Sequence, residues 1–198
     1  MAKRAFDIVF AGLGLVLVAP LLLLLALWVR LDSPGPALFR QERVGRFGRT
    51  FRIHKLRTMV DGAPALGPDL TVGADTRITR AGAWLRRRKL DELPQLIDVL
   101  AGDMSLVGPR PEVPRYVALY PEALREKVLS VRPGITDPVS LTLADESAQL
   151  ACAADPEREY VEVLLPAKLR AAAAYAERAT LWTDVQVLAR TLRVLGSS

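Results

Sequence analysis

Residues 8–29 carry no charge and almost no polar side chain, an unbroken apolar run that occurs nowhere else in the chain. At ~1.5 Å rise per residue, a straight helix of that length just crosses a ~30 Å hydrocarbon core. Pro20 sits near the middle of the run. Proline removes one backbone donor and clashes with the carbonyl four residues earlier, so the helix is predicted to bend sharply or break there. Lys3 and Arg4 precede the run, and Arg30, Arg40, Arg43 and Arg46 follow it. Basic residues on both flanks suit a hairpin that enters and leaves by one face, whereas a single span normally biases lysine and arginine to one side. Two other readings stay open. A cleaved signal peptide has a shorter apolar region and a small-x-small cleavage site, and a single-pass anchor with a proline kink is tolerated in lipid.

After the run, Asp32-Ser33-Pro34-Gly35-Pro36 is a cluster of breakers that ends the helix. Residues 37–43 and 50–55 then read as two short strands joined by Val44-Gly45-Arg46-Phe47-Gly48-Arg49, which predicts a β-hairpin. Residues 61–75 contain Gly62, Pro64, Gly67, Pro68 and Gly73 and predict no regular element, as a lid or an open loop. Over residues 78–88 the spacing of Ile78, Ala81, Trp84 and Leu85 is helical, with the basic residues at the end where a helix dipole favours cations. A further helix is predicted from Asp91, capped by that residue, burying Leu93, Leu96, Ile97 and Leu100 and stopping at Gly102. Near the end, Leu181, Trp182, Val185, Leu188, Leu192 and Leu195 form an apolar stripe that serves equally for a membrane surface or for the core.

The fold class these elements predict is α+β and predominantly helical: an N-terminal re-entrant membrane helix plus a compact cytoplasmic domain with a short antiparallel β-hairpin. The division falls at residues 1–33 for the anchor and 34–198 for the domain. A chain of 198 residues, 51% apolar and 25% charged, leaves room for one such domain. The formal charge of +5 does not point to nucleic acid, because aromatics are only 6% and neither zinc-finger spacing nor an RNA-binding aromatic motif is present. Arginine beside an apolar anchor fits anionic headgroups better, at about 1 kcal/mol per residue. Cys152, the only cysteine, reads as a small packing residue, and His54, the only histidine, as a strand residue without a partner to complete a metal site.

Candidate chemistry concentrates in residues 90–112, where Asp91 and Glu92 follow Arg86, Arg87, Arg88 and Lys89, and Pro109-Arg110-Pro111 holds a guanidinium on a stiff backbone. Adjacent carboxylates suit a divalent cation or a nucleophile, and the cations suit phosphate. A helix start beside arginines is expected to keep Asp91 ionised. A capped surface helix followed by a loop explains the same spacing without chemistry.

The motifs, taken in order, resemble the bacterial sugar transferase family, the small monotopic phosphoglycosyl transferases. The resemblance rests on Lys3-Arg4-Ala5-Phe6-Asp7, Pro20, Ser33-Pro34-Gly35-Pro36, Gln41-Glu42-Arg43-Val44-Gly45 and Lys55-Leu56-Arg57-Thr58-Met59. It continues through Arg77-Ile78-Thr79, Leu90-Asp91-Glu92-Leu93-Pro94-Gln95-Leu96, residues 102–111 and Val131-Arg132-Pro133-Gly134-Ile135-Thr136. It implies transfer of a sugar 1-phosphate from a UDP-sugar to undecaprenyl phosphate with release of UMP, the first membrane step of bacterial glycoconjugate synthesis. It also implies Asp91 as nucleophile of a phosphosugar intermediate, Mg2+ at Asp91 and Glu92, and Glu92 supporting the metal or the lipid phosphate. Lys55, Arg86 and Arg110, the last framed by Pro109 and Pro111, become phosphate or nucleotide contacts. The expected setting is the cytoplasmic face of the bacterial inner membrane. Phospholipid is then the surrounding partner, nucleic acid is not one, and a second copy and downstream glycosyltransferases are candidate protein partners.

Two departures bear on these expectations. Ala19 stands where many members place serine before the proline, and Asp137-Pro138-Val139-Ser140-Leu141 replaces a usual glycine and Trp-Ala-Gln-Val. The second leaves the sugar unnamed. A non-catalytic scaffold would be expected to lose Asp91, Glu92 or Arg110, and all are present.

Overall fold

In a computed structural model describing residues 2–67, 70–137 and 146–196, helix α1 runs from Ala2 to Asp32 without interruption. Pro20 lies inside it, so of the predicted bend or break the break does not occur. Proline deletes one rung of the hydrogen-bond ladder, and the leucine-rich turns on either side keep the rest wound. The domain also holds both ends of this helix. At its start, Arg4 donates to the carbonyls of Val99 and Leu100 at 2.6 and 3.0 Å, and Lys3 donates to that of Val107 at 3.1 Å and pairs with Asp184. Asp7, buried, accepts from the Ser105 hydroxyl at 3.1 Å and the Leu106 amide at 3.2 Å. At its end, buried Arg57 donates to the carbonyls of Ser33 (2.8 Å), Pro36 (2.6 Å) and Val29 (3.4 Å), and Asp32 accepts from the Ala81 amide at 2.9 Å. Between these clamps one face of the helix is bare, with Val16, Leu17 and Leu23 75, 77 and 73% exposed, while Ala11 and Leu25 are buried against the domain. Contiguous apolar exposure on this scale marks a surface that another apolar phase covers.

The hairpin expected from the alternating pattern is present as β1 (Leu38–Val44) and β2 (Thr50–Leu56), antiparallel, with Leu38 opposite Leu56 and Val44 opposite Thr50. Residues 61–75 hold only a short 3-10 turn at Ala63–Ala65 among those described. Helix α2 (Arg80–Arg87) starts at Thr79, whose hydroxyl accepts the Gly82 amide at 3.0 Å. A Cβ at Gly82 would lie 1.9 Å from the Thr58 carbonyl oxygen, so glycine is what lets α2 pack onto the end of β2.

After α2 the chain departs from the sequence reading. Lys89 takes a left-handed φ of 55°, and residues Leu90–Gln95 wind as a 3-10 helix before α3 (Leu96–Ala101). Asp91 is therefore inside the first turn and is not a cap. Pro94 lies inside this turn and has no amide to donate to it. At three residues per turn the faces rotate away from those counted at 3.6. Asp98 and Val99 are buried, while Ile97 of the predicted stripe is exposed. Gly102 ends α3 in the left-handed region, as predicted. Asp98 accepts from the His54 amide at 2.9 Å and contacts His54 Nδ1 at 2.6 Å, which fixes α3 to β2 and makes His54 the strand residue expected.

A second sheet was not anticipated: β3 (Ser105–Val107) pairs in parallel with β4 (Gly134–Thr136). Between them lie α4 (Pro114–Val117) and α5 (Glu122–Leu129), and after them α6 (Glu146–Cys152) and α7 (Pro156–Glu159). A π-helical turn at Tyr160–Leu164 leads into α8 (Leu165–Arg178), followed by α9 (Leu181–Gly196). One core cluster joins α1 to both sheets and α9 through Ala11, Ile53, Met104, Leu106 and Val187. A second joins α4, α5, α6 and α8 through Tyr116, Val128, Leu150 and Leu169, and a third packs Leu25 and Val29 of α1 on Leu56 and Leu85. Cys152 is exposed at the end of α6, not packed as expected. In α9, Asp184 and Val187 face inward and Trp182 is 69% exposed, with Leu181 and Val185 partly so. The side chains of Leu192 and Leu195, and the departure at 138–141, lie outside the described residues.

Candidate active site

Four separate elements deliver the expected residues to one place. Lys55 comes from β2, Arg86 from α2, Asp91 and Glu92 from the 3-10 turn, and Arg110 from the loop after β3. All five line one open cavity of about 1140 Å3. Pro109 also lines it, whereas Pro111 lies behind the wall, its carbonyl accepting from Arg43 at 3.0 Å. Of the cations before the carboxylates, Arg87 and Lys89 also reach the cavity, and Arg88 instead stacks on the Trp84 ring at 4.2 Å.

Glu92 is the electrostatic hinge of the site. Lys55 donates to its Oε1 at 2.8 Å, and Arg110 donates to both its oxygens, to Oε2 at 3.3 Å. Burial pushes the Glu92 carboxyl up, but the opposing pull of Arg110 and Lys55 is stronger and holds it well below the usual range. Lys55 moves down, because burial outweighs the attraction of Glu92. Arg86 is positioned by neighbours that sequence reasoning passed over: its Nε donates to the Thr58 hydroxyl at 2.9 Å and its NH1 to that of Thr71 at 3.1 Å. Thr58 was legible only as part of Lys55-Leu56-Arg57-Thr58-Met59. Its partner Gly82, which holds α2 against it, carried no signal at all.

Asp91 is 8% exposed, and among the described residues none hydrogen-bonds its carboxylate. Burial raises its pKa first and the Glu92 charge second, while Lys55, Arg86 and Arg110 pull the other way. The net direction is upward, the reverse of the expectation that a capping position would keep it readily ionised. The physical reason is the missing cap: Asp91 accepts no helix amide, and it is taken out of water beside another carboxylate.

These two environments differ as ligand sites. Glu92 has both oxygens occupied by cations, and Asp91 has its oxygens open to the cavity. Magnesium keeps several waters and binds through one or two carboxylates plus substrate phosphates, so Asp91 with a phosphate ligand fits it without a third side chain. Among the described residues no cluster of three or more histidine, cysteine, aspartate or glutamate side chains is placed for a self-sufficient metal cage. The arrangement is thus a buried carboxylate with no hydrogen-bond partner among the described residues, facing a cavity with Lys55, Arg86, Arg87, Lys89 and Arg110 in its wall. Chemically it can receive an anionic phosphate ester and present an oxygen nucleophile to it.

A family model described as bacterial sugar transferase matches residues 1–198. A UDP-glucose:undecaprenyl-phosphate glucose-1-phosphate transferase of Caulobacter vibrioides is 41% identical over 196 residues, which is 97% of this chain and 68% of that protein. An Aeromonas hydrophila UDP-N-acetylgalactosamine-undecaprenyl-phosphate N-acetylgalactosaminephosphotransferase is 36% identical over 195 residues, 98% of this chain and 43% of its own length. The Escherichia coli UDP-glucose:undecaprenyl-phosphate glucose-1-phosphate transferase is 44% identical over 138 residues, 69% of this chain and 30% of its own. Several relatives are therefore longer proteins of which this chain matches one part.

Proposed function

Since the chain belongs to the bacterial sugar transferase family, we propose that it transfers a sugar 1-phosphate from a UDP-sugar to undecaprenyl phosphate, releasing UMP. The observation that carries this reading is Asp91: a buried carboxylate with open oxygens, beside a Glu92 already neutralised by Lys55 and Arg110, in a cavity walled by arginine and lysine. An Asp91 oxygen attacks the sugar-bearing phosphorus, and the bond from that phosphorus to the bridging oxygen breaks. UMP leaves with the bonding pair. An oxygen of the lipid phosphate then attacks the same phosphorus, and the Asp91 carboxylate is the second leaving group. Arg86 and Arg110 hold the diphosphate, with Arg110 forked for two oxygens. Lys55 and Arg110 also keep Glu92 ionised and engaged, so that the like charge beside Asp91 is compensated at the moment of attack. Asp91 with a substrate phosphate would hold Mg2+, which would supply Lewis-acid neutralisation of phosphate charge.

The acceptor's phosphate sits at headgroup level while its polyprenyl tail stays in the bilayer, so the site must work at that interface. Both ends of α1 are tied to the same domain, Lys3, Arg4 and Asp7 at one end and Asp32 and Ser33 at the other. Ends held by one domain favour a helix that returns to the face it entered. This supports a monotopic enzyme with α1 dipped into one leaflet, residues 34–198 forming the catalytic domain on the cytoplasmic side, and Trp182 of α9 beside the Asp184 clamp at the same surface.

The test is UMP release by detergent-purified protein given undecaprenyl phosphate, magnesium and a panel of UDP-sugars. Release that needs the lipid and one or a few of the sugars is expected. No release with any donor would remove the proposal.

A further inference from the structure

The cavity holding Asp91 has a second set of polar groups that phosphate chemistry does not use. Glu112, two residues beyond Arg110, and Lys168 of α8 both line it, with Tyr160 and Tyr116 behind them and Val113, Leu150 and Leu169 as apolar wall. Glu112 Oε1 accepts the Tyr160 hydroxyl at 2.6 Å and Lys168 Nζ at 3.4 Å. Lys168 also reaches the Tyr160 hydroxyl at 3.2 Å and Glu146 Oε2 at 3.2 Å, and its ammonium lies 4.9 Å from the Tyr160 ring centre. The Glu112 backbone is fixed as well, its carbonyl accepting the Val44 amide at 2.9 Å. Burial raises the Glu112 carboxyl, but Lys168 and then Arg43 and the Tyr160 hydroxyl outweigh it and hold it low, so it stands ionised.

A buried ion pair adds little net stability compared with apolar packing. The position of this one in a cavity wall gives it another use. An ionised carboxylate has about four lone-pair sites, so Glu112 keeps acceptor capacity towards the cavity after taking the Tyr160 hydroxyl and Lys168, whose three donors are met by Glu112, Tyr160 and Glu146. A fixed acceptor of this kind matches ring hydroxyls, which donate hydrogen bonds. The Glu112 charge repels phosphate. Tyr116 and Tyr160 pack on each other with centres 4.7 Å apart and are 2 and 1% exposed, so neither offers a free face for a nucleobase. The cavity, at about 1140 Å3, exceeds the ~300–1,000 Å3 of most small-molecule sites and has room beyond a diphosphate.

We propose that Glu112, held in place by Lys168, forms the subsite for the transferred sugar ring, accepting from its hydroxyls while Arg110 holds the adjoining phosphate. The inference rests on the transfer reaction proposed above. Pro111 explains how one short segment serves both: it faces away from the cavity, so Arg110 and Glu112 on either side of it face in.

The test compares the full-length protein with Glu112→Gln and Lys168→Met, in detergent with undecaprenyl phosphate and magnesium, across a panel of UDP-sugars, with UMP product inhibition measured in parallel. Each substitution is expected to lower kcat/KM for the preferred sugar by about tenfold to a hundredfold and to reorder the panel, while inhibition by UMP stays the same. An equal loss for every sugar, a weakened UMP inhibition, which would place the ribose here, or no change in either variant overturns the subsite. If Glu112→Gln does not fold, Lys168→Met decides by the same readings. A wild-type protein that releases no UMP from any donor overturns the transfer reaction itself and the subsite with it.

Discussion

Asp91 and Glu92 are adjacent carboxylates that the fold pushes in opposite directions, one up by burial and the other down by Arg110 and Lys55. The sequence places them side by side beside cations. It does not say which one the cations choose, because that depends on β2 and the loop after β3 arriving from elsewhere in the chain. Arg110 is the clearest case of geometry over charge. Its guanidinium meets the two Glu92 oxygens from two separate nitrogens, which a lysine, with one, cannot do. Arg110→Lys should therefore leave the protein folded and lower kcat/KM by about tenfold to a hundredfold, with UMP release as the readout. Near-normal activity would show that charge alone suffices. Glu112 gives a pH signature. Its folded pKa is depressed, so the stability it contributes is complete above the unfolded value of about 4.3 and is lost as pH falls through the folded value. Thermal unfolding should show wild type ahead of Glu112→Gln at neutral pH, with the gap closing below about pH 4. A gap that widens on acidification would reverse the sign assigned to Glu112.

At the scale of elements, the hairpin, α2 and the stop at Gly102 were readable because period-two alternation, helical spacing and a left-handed glycine are local signals. The turn that carries Asp91 was not, because a helix start was counted at 3.6 residues per turn and the chain winds at three through Leu90–Gln95. The parallel pair of β3 and β4 was also invisible: three-residue strands have too little alternation to register, and their close approach depends on Gly134 meeting Gly108, where a Cβ would lie 2.1 Å from the Gly108 amide nitrogen. Among these elements α2 is the one whose placement governs the site. Gly82→Ala forces a methyl into the Thr58 carbonyl and shifts the helix carrying Arg86. Destabilisation by about 1–3 kcal/mol is expected, together with a larger loss of kcat/KM than the thermal shift explains. An alanine variant with wild-type melting and activity would mean that α2 is free to move.

For the whole molecule, the apolar run announced a membrane helix, and both basic flanks announced a return to the same side. Lys3 and Arg4 turn out to be committed to the domain, along with Asp7, and Pro20 leaves the helix undivided. The clamps were not legible in the sequence because their partners lie 24 to 181 residues away. They change the expectation for Pro20→Leu, since a helix whose ends are held by Asp184, Arg57 and the α3 carbonyls keeps its topology without the proline. Single cysteines at Ala2 and Arg49, in a Cys152→Ser background because Cys152 is exposed, should both resist an impermeant thiol reagent in intact cells and react after the membrane is opened. Labelling of Ala2→Cys alone in intact cells would mean that α1 spans.

The claim on which everything else depends is that Asp91 becomes covalently loaded. Incubating the protein with a productive UDP-sugar and magnesium, without lipid acceptor, and quenching in acid should add one sugar phosphate to the intact mass. Peptide mapping should place it on Asp91, and Asp91→Asn should neither load nor turn over. A protein that turns over with lipid present but never carries the adduct, or an Asp91→Asn variant that still releases UMP, would contradict the account.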